Sequence, residues 1–166
     1  MAIDYFKIFA LPKSYPLDAA VLEQSYRRLS TQYHPDKTAH LSAFEQKQAV
    51  MLSATINEAY RVLKSPLDRA AYLLQEQGIK ADAPENTHFA PAFLMQQMQW
   101  REDLEDAGHD EQALLALNRQ IVVARDALQA ALNQDFADEK WEEAANHVRE
   151  GRFIHKLLQQ IKQALP

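Results

Sequence analysis

Apolar residues return at helical spacing along almost the whole chain, and one such run is cut off by a proline that forces the backbone to turn. Leu22, Tyr26, Leu29 and Tyr33 repeat at steps of three and four, the period of one helix face. The residues that follow are His34-Pro35-Asp36. Proline disfavours helical geometry in the residue before it, so the helix must stop here and display His34 and Asp36 on a loop. Polar side chains on a scaffolded loop admit three meanings at this point: a recognition element, a catalytic His/Asp pair, or a plain helix stop.

Composition supports an all-α chain. Three glycines occur in 166 residues, and long stretches are rich in Ala, Leu, Gln, Glu and Arg, all good helix formers. This length buries roughly two-thirds of the unfolded surface, enough for one medium domain or two small ones. No apolar run approaches the ~20 residues that span a bilayer. Asp4 and Lys7 interrupt the apolar N-terminus, which argues against a signal peptide and for a cytoplasmic protein. Cysteine is absent, which removes disulfides, thiolate nucleophiles and Cys-based zinc or iron–sulfur ligation. Residues 1–76 carry nine Lys/Arg against eight Asp/Glu, a balance of +1, whereas 77–166 carry nine against fifteen, a balance of −6. The first half has a modest basic cluster at Arg27, Arg28 and Lys37, and the second would repel nucleic acid.

This asymmetry divides the chain into modules at 1–76 and 89–166, joined by a linker at 77–88 in which Gly78 fits a helix cap and Pro84 and Asn86 form turns. In the first module, Ile3 to Phe9 is a short apolar element. A second helix runs from an Asp18 N-cap to Tyr33. A third covers about Leu41 to Leu63, with Phe44, Leu52, Ile56, Ala59, Tyr60 and Leu63 as its apolar stripe. Ser65-Pro66 starts a fourth that runs through Leu74. The two long helices form an antiparallel hairpin with the His34-Pro35-Asp36 loop at its tip.

Tyr26-Arg27-Arg28-Leu29 followed by Tyr33-His34-Pro35-Asp36-Lys37 resembles the second helix and loop of a J-domain. Asn57-Glu58-Ala59-Tyr60, Val62-Leu63 and Arg69-Ala70-Ala71-Tyr72 are similar to the later helices of that family. The resemblance covers residues 1–76. It implies that His34, Pro35 and Asp36 dock on a DnaK/HscA-type ATPase chaperone and stimulate its ATP hydrolysis. It also implies that Arg27, Arg28 and Lys37 meet an acidic surface there, with Gln24 and Ser25 standing where many relatives have Lys or Arg.

The second module lacks the Gly/Phe-rich and Cys-rich regions of general protein-folding J-proteins. It reads as three helices, about Pro91–Ala107, Glu111–Asn133 and Glu139–Leu165, with Gly108 closing the first and Asp110 and Asp138 capping the others. Leu114, Leu117, Ile121, Ala124, Leu128 and Ala131 form the seam of the middle helix. Trp141, Ala144, Val148, Ile154, Leu158, Ile161 and Leu165 form that of the last. On the first helix, Phe93, Trp100 and Leu104 share one side, while Leu94, Met95 and Met98 point away from it beside Gln99, Glu102 and Asp106. Phe153 lies off the axis of the last helix's stripe. These residues either pack inward or form a Met-rich patch with an acidic border for binding a protein. The histidines His40, His88, His109, His147 and His155 are scattered and read as surface or helix-flank residues.

Ser53-Ala54-Thr55-Ile56-Asn57, Arg69 to Leu74, Phe93-Leu94-Met95, Arg101-Glu102 and Arg152-Phe153 resemble HscB-type co-chaperones of iron–sulfur cluster assembly over essentially the whole chain. The resemblance implies that Leu94, Met95, Met98, Gln99, Glu102, Asp106 and Phe153 bind an IscU-type scaffold protein, with Gln99 in place of an acidic residue often found there. It implies no catalytic residue, metal or cofactor in this chain, because cluster ligation belongs to the scaffold and ATP hydrolysis to the chaperone. A J-domain co-chaperone for a different client is the alternative. A helical nucleic-acid binder would need a coherent basic face, and a hydrolase built on His34 and Asp36 would need a nucleophile and a water-excluding pocket.

Overall fold

The computed structural model describes residues 3–85 and 88–166, so Asn86 of the expected linker turn lies outside the described residues. Eight helices and no strand are present among the described residues: α1 Tyr5–Ile8, α2 Ala19–Gln32, α3 Pro35–Thr38, α4 Ala43–Lys64, α5 Pro66–Glu76, α6 Pro91–Ala107, α7 Glu111–Ala137 and α8 Trp141–Ala164. The chain divides into two compact units, Met1–Tyr72 and Leu73–Pro166. The division falls inside α5, earlier than Gly78, and the residues after Gly78 group with the second unit. Gly78 does close α5, with φ at +79° and the Ile79 amide donating back to the Leu74 carbonyl at 3.0 Å.

In the first unit, short polar side chains start the helices. Asp4 and Asp18 accept from the free amides that open α1 and α2. Ser42 and Glu45 exchange hydrogen bonds as a capping box that starts α4. The α2–α4 hairpin is held by Tyr26 stacked on Tyr60 at 3.9 Å and by the Tyr26 hydroxyl donating to Asn57 at 2.9 Å. Phe6, Phe9, Leu22, Ile56, Ala59 and Leu63 are its buried apolar residues. Arg69 is buried too: its guanidinium donates to the carbonyls of Tyr15 and Leu63, both at 2.7 Å, and lies 5.0 Å from the centre of the Tyr15 ring. Burial pushes its pKa below the ordinary arginine value, with Tyr15 opposing the shift.

The expected stripe of α4 holds only in its second half. Phe44 is 69% exposed and Leu52 38%, whereas Ala49, Ile56, Ala59, Val62 and Leu63 are buried. Helical spacing sets which residues share a face but not how much of that face neighbouring elements cover, and here the covered part begins at Ala49.

The second unit packs α6 on α7 and α7 on α8. Leu114, Leu117, Ile121, Leu128 and Leu132 of α7 meet Ala144, Ala145, Val148, Ile154, Leu157 and Ile161 of α8, all buried. Leu157 rather than Leu158 faces the core. α7 runs one turn beyond Asn133, because Leu132 is buried and Asp135 is anchored to α8 by a 2.5 Å contact with His147 Nδ1. Asp138 is consequently the C-cap of α7 and not the N-cap of α8, which starts at Trp141 without a side-chain cap. His147 is thus a half-buried structural residue and not a surface histidine.

Candidate functional site

Two places gather the side chains that the sequence singles out. The first is the tip of the hairpin. Instead of an open loop, Pro35 starts the one-turn helix α3, with Pro35 at its first position and His34 as its N-cap. His34 Nδ1 accepts from the Asp36 amide at 3.2 Å, which leaves Nε2–H as the outward-facing donor of the neutral ring. Thr38 Oγ1 donates to the carbonyls of His34 and Pro35, which locks the turn from inside. His34, Pro35, Asp36 and Lys37 are all exposed, and an open pocket of about 320 Å³ lies between Ser30, Thr31, His34, Asp36 and Lys37. A catalytic pair would have Nδ1–H donating to the acid, whereas here that nitrogen serves the backbone and stands 3.6 Å from Asp36 Oδ2.

Arg27 and Arg28 are exposed on α2 beside the tip. Arg27 is partly neutralised by Glu23 one turn earlier, at 2.7 Å, so the basic face is weaker than the sequence count suggests. Ser25 is buried, whereas both arginines are exposed.

The second place is the solvent side of α6. Trp100 is buried and Phe93 and Leu104 are half-buried, as the spacing predicts. Leu94, Met95 and Met98 are 43%, 71% and 72% exposed, with Gln99, Glu102 and Asp106 exposed around them. Phe153 is half-buried at the edge of this face, its ring edge-on to Phe93 at 6.0 Å. Gln99 donates to Asp103 at 2.9 Å. Sequence reasoning missed two features here. The Arg101 guanidinium lies over Phe153 at 5.2 Å, and Arg152 grips Asp82 with two hydrogen bonds of 3.0 and 2.9 Å. The adjacency of Arg152 to Phe153 was the only signal, and the partner Asp82 is seventy positions away.

No group of three or more metal-ligating side chains occurs among the described residues, and no helix there is long and apolar enough to cross a membrane.

The DnaJ domain family matches residues 4–72, and the family described as HSCB C-terminal oligomerisation domain matches residues 89–162. A co-chaperone protein HscB homolog of Neisseria meningitidis is 53% identical over 163 residues, covering 97% of this chain and 98% of that protein. This chain belongs to the HscB family of J-domain co-chaperones. An HscB homolog of Bordetella pertussis is 41% identical over 167 residues, covering 99% of this chain and 98% of its own. Among solved structures, HscB from Vibrio cholerae matches with a TM-score of 0.85 and 36% identity, covering 97% of this chain and 96% of that one. Human co-chaperone HscB matches with a TM-score of 0.91 and 26% identity, covering 97% and 81%.

Proposed function

We propose that this HscB-family co-chaperone binds an IscU-type iron–sulfur scaffold protein on its second unit and delivers it to a DnaK/HscA-type chaperone, whose ATP hydrolysis its first unit stimulates, in the cytoplasm. The reading rests on one pairing: a rigid exposed His34-Pro35-Asp36 tip, and an exposed methionine-rich face on a helix of the other unit. Large side chains left in water on a well-packed bundle favour a protein partner. His34, Pro35, Asp36 and Lys37 are the trigger, with Arg27 and Arg28 orienting the encounter. Exposed ion pairs are worth only ~0–1 kcal/mol each, so these charges act more on association rate than on affinity. Leu94, Met95, Met98 and Phe153 form the apolar centre for the scaffold, and Gln99, Glu102 and Asp106 form its polar rim. The chain itself catalyses nothing and ligates no cluster.

The test is chaperone ATP turnover with and without a cysteine-rich IscU-type scaffold. His34→Gln is expected to lose the stimulation while binding scaffold normally, because it removes the Nδ1 acceptor and the imidazole donor at the tip and leaves every residue of α6 as it is. Undiminished stimulation by His34→Gln would sink the trigger assignment. Stimulation that is unaffected by scaffold, with no measurable complex, would leave a J-domain co-chaperone serving a different client.

A further inference from the structure

The exposed face of α6 carries one cation. Arg101 is the only basic residue between Pro91 and Ala107, and at about 100° per residue it lies roughly 20° around the helix from Leu94. Glu102, Asp103, Glu105 and Asp106 follow within five positions, yet Arg101 forms no ion pair with any of them among the described residues. Its guanidinium lies instead over the Phe153 ring of α8, 5.2 Å from the centroid. Phe93 of α6 meets the same ring edge-on at 6.0 Å and 83°, and is itself edge-on to the buried Trp100. The ring of α8 is therefore gripped by two side chains of α6, and the inner of these is seated on the core. A planar guanidinium suits the place: it stacks on a ring while its N–H groups stay in water, which an ammonium does less well.

We propose that Arg101 is a positioning residue for Phe153. By capping the ring it fixes it against Phe93, at the edge of the α6 face, so that α8 contributes an aromatic side chain in a set orientation to the surface that meets the partner. This rests on the reading of the α6 face as scaffold-binding. A ring already held in its bound orientation loses less freedom on association, so Arg101 adds affinity without touching the partner. An exposed cation–π contact of this kind corresponds to a factor of about two to five in an equilibrium constant.

The experiment is a double-mutant cycle on the full chain, titrated calorimetrically with a purified IscU-type scaffold. Arg101→Gln should weaken binding about two- to five-fold, and Phe153→Ala should weaken it more. In the Phe153→Ala background, Arg101→Gln should change nothing further, because no ring remains to be held. Phe153→Leu, which keeps apolar volume and removes the ring, repeats the cycle should alanine loosen the bundle. Arg101→Lys, whose ammonium also sits over a ring but stacks less well, should bind between wild type and Arg101→Gln; a lysine variant weaker than Arg101→Gln would overturn the proposal. So would an equal loss from Arg101→Gln in both backgrounds, which would mark a direct contact with the partner, or no loss in either. Met95→Ala reports on the reading beneath: if it and Phe153→Ala both bind normally, the face is not the scaffold site, whatever Arg101 does.

Discussion

Replacing Met95 and Met98 together by alanine separates a binding role from a packing role. Each keeps about seven-tenths of its surface in water, at 71% and 72%. Moving a whole methionine side chain out of water is worth about 1.5–3 kcal/mol, so the exposed share is worth about 1–2 kcal/mol per residue if a partner covers it. The double variant should then lose about 2–4 kcal/mol of binding, roughly 30- to 1,000-fold in Kd. Folding should hardly change, because side chains already in water leave no cavity behind; a shift within about 0.5 kcal/mol is expected. Calorimetric titration with an IscU-type scaffold gives the first number and urea unfolding the second. A loss of affinity below about threefold in a fully folded double variant would refute the argument. So would a destabilisation of several kcal/mol, since it would show that these side chains are packed in solution.

The buried guanidinium gives a test of the first unit alone. Arg69→Met removes the donors to the carbonyls of Tyr15 and Leu63, and leaving two buried acceptors unsatisfied should cost about 3 kcal/mol. Urea unfolding followed by far-UV circular dichroism measures the loss; a change below about 1 kcal/mol in the variant would contradict the assignment. Glu150 gives a pH test. Burial raises its pKa above the ordinary 4.5, against the opposing charges of His147 and Arg149, so the folded state prefers the protonated form. Its contribution to stability therefore falls as pH rises from the unfolded value through the folded one. Glu150→Gln should raise the thermal midpoint at pH 7, with the gain disappearing below about pH 4; a gain that persists unchanged at pH 3 would rule out ionisation as the cause.

Much of this fold could be read along the chain because helices are local. The stop at Pro35, the Asp18 cap, the Ser65-Pro66 start and the closure at Gly78 each depend on residues within one turn of each other. The same holds for the off-seam positions of Leu94, Met95 and Met98, which follow from a 3.6-residue period and a known core side. Where the reading failed, a distant partner was responsible. Phe44 matches the stripe in spacing, yet the fold leaves it 69% exposed. Asn133 looks like a helix end until Asp135 finds His147 across the bundle, and then the helix gains a turn and Asp138 changes its role. Ser25 looks like a surface position beside Arg27, yet it is buried.

The sequence by itself determined the long helices, their order and the family, because backbone hydrogen bonding in a helix joins near neighbours and a signature of consecutive residues survives without a fold. Only the tertiary structure decided what each functional side chain has around it. Arg69 finds the Tyr15 carbonyl fifty-four positions back, and Arg101 of α6 lies over a phenylalanine of α8 fifty-two positions on. Charge pairing and ring stacking act over a few ångströms of space, and sequence separation does not measure that distance.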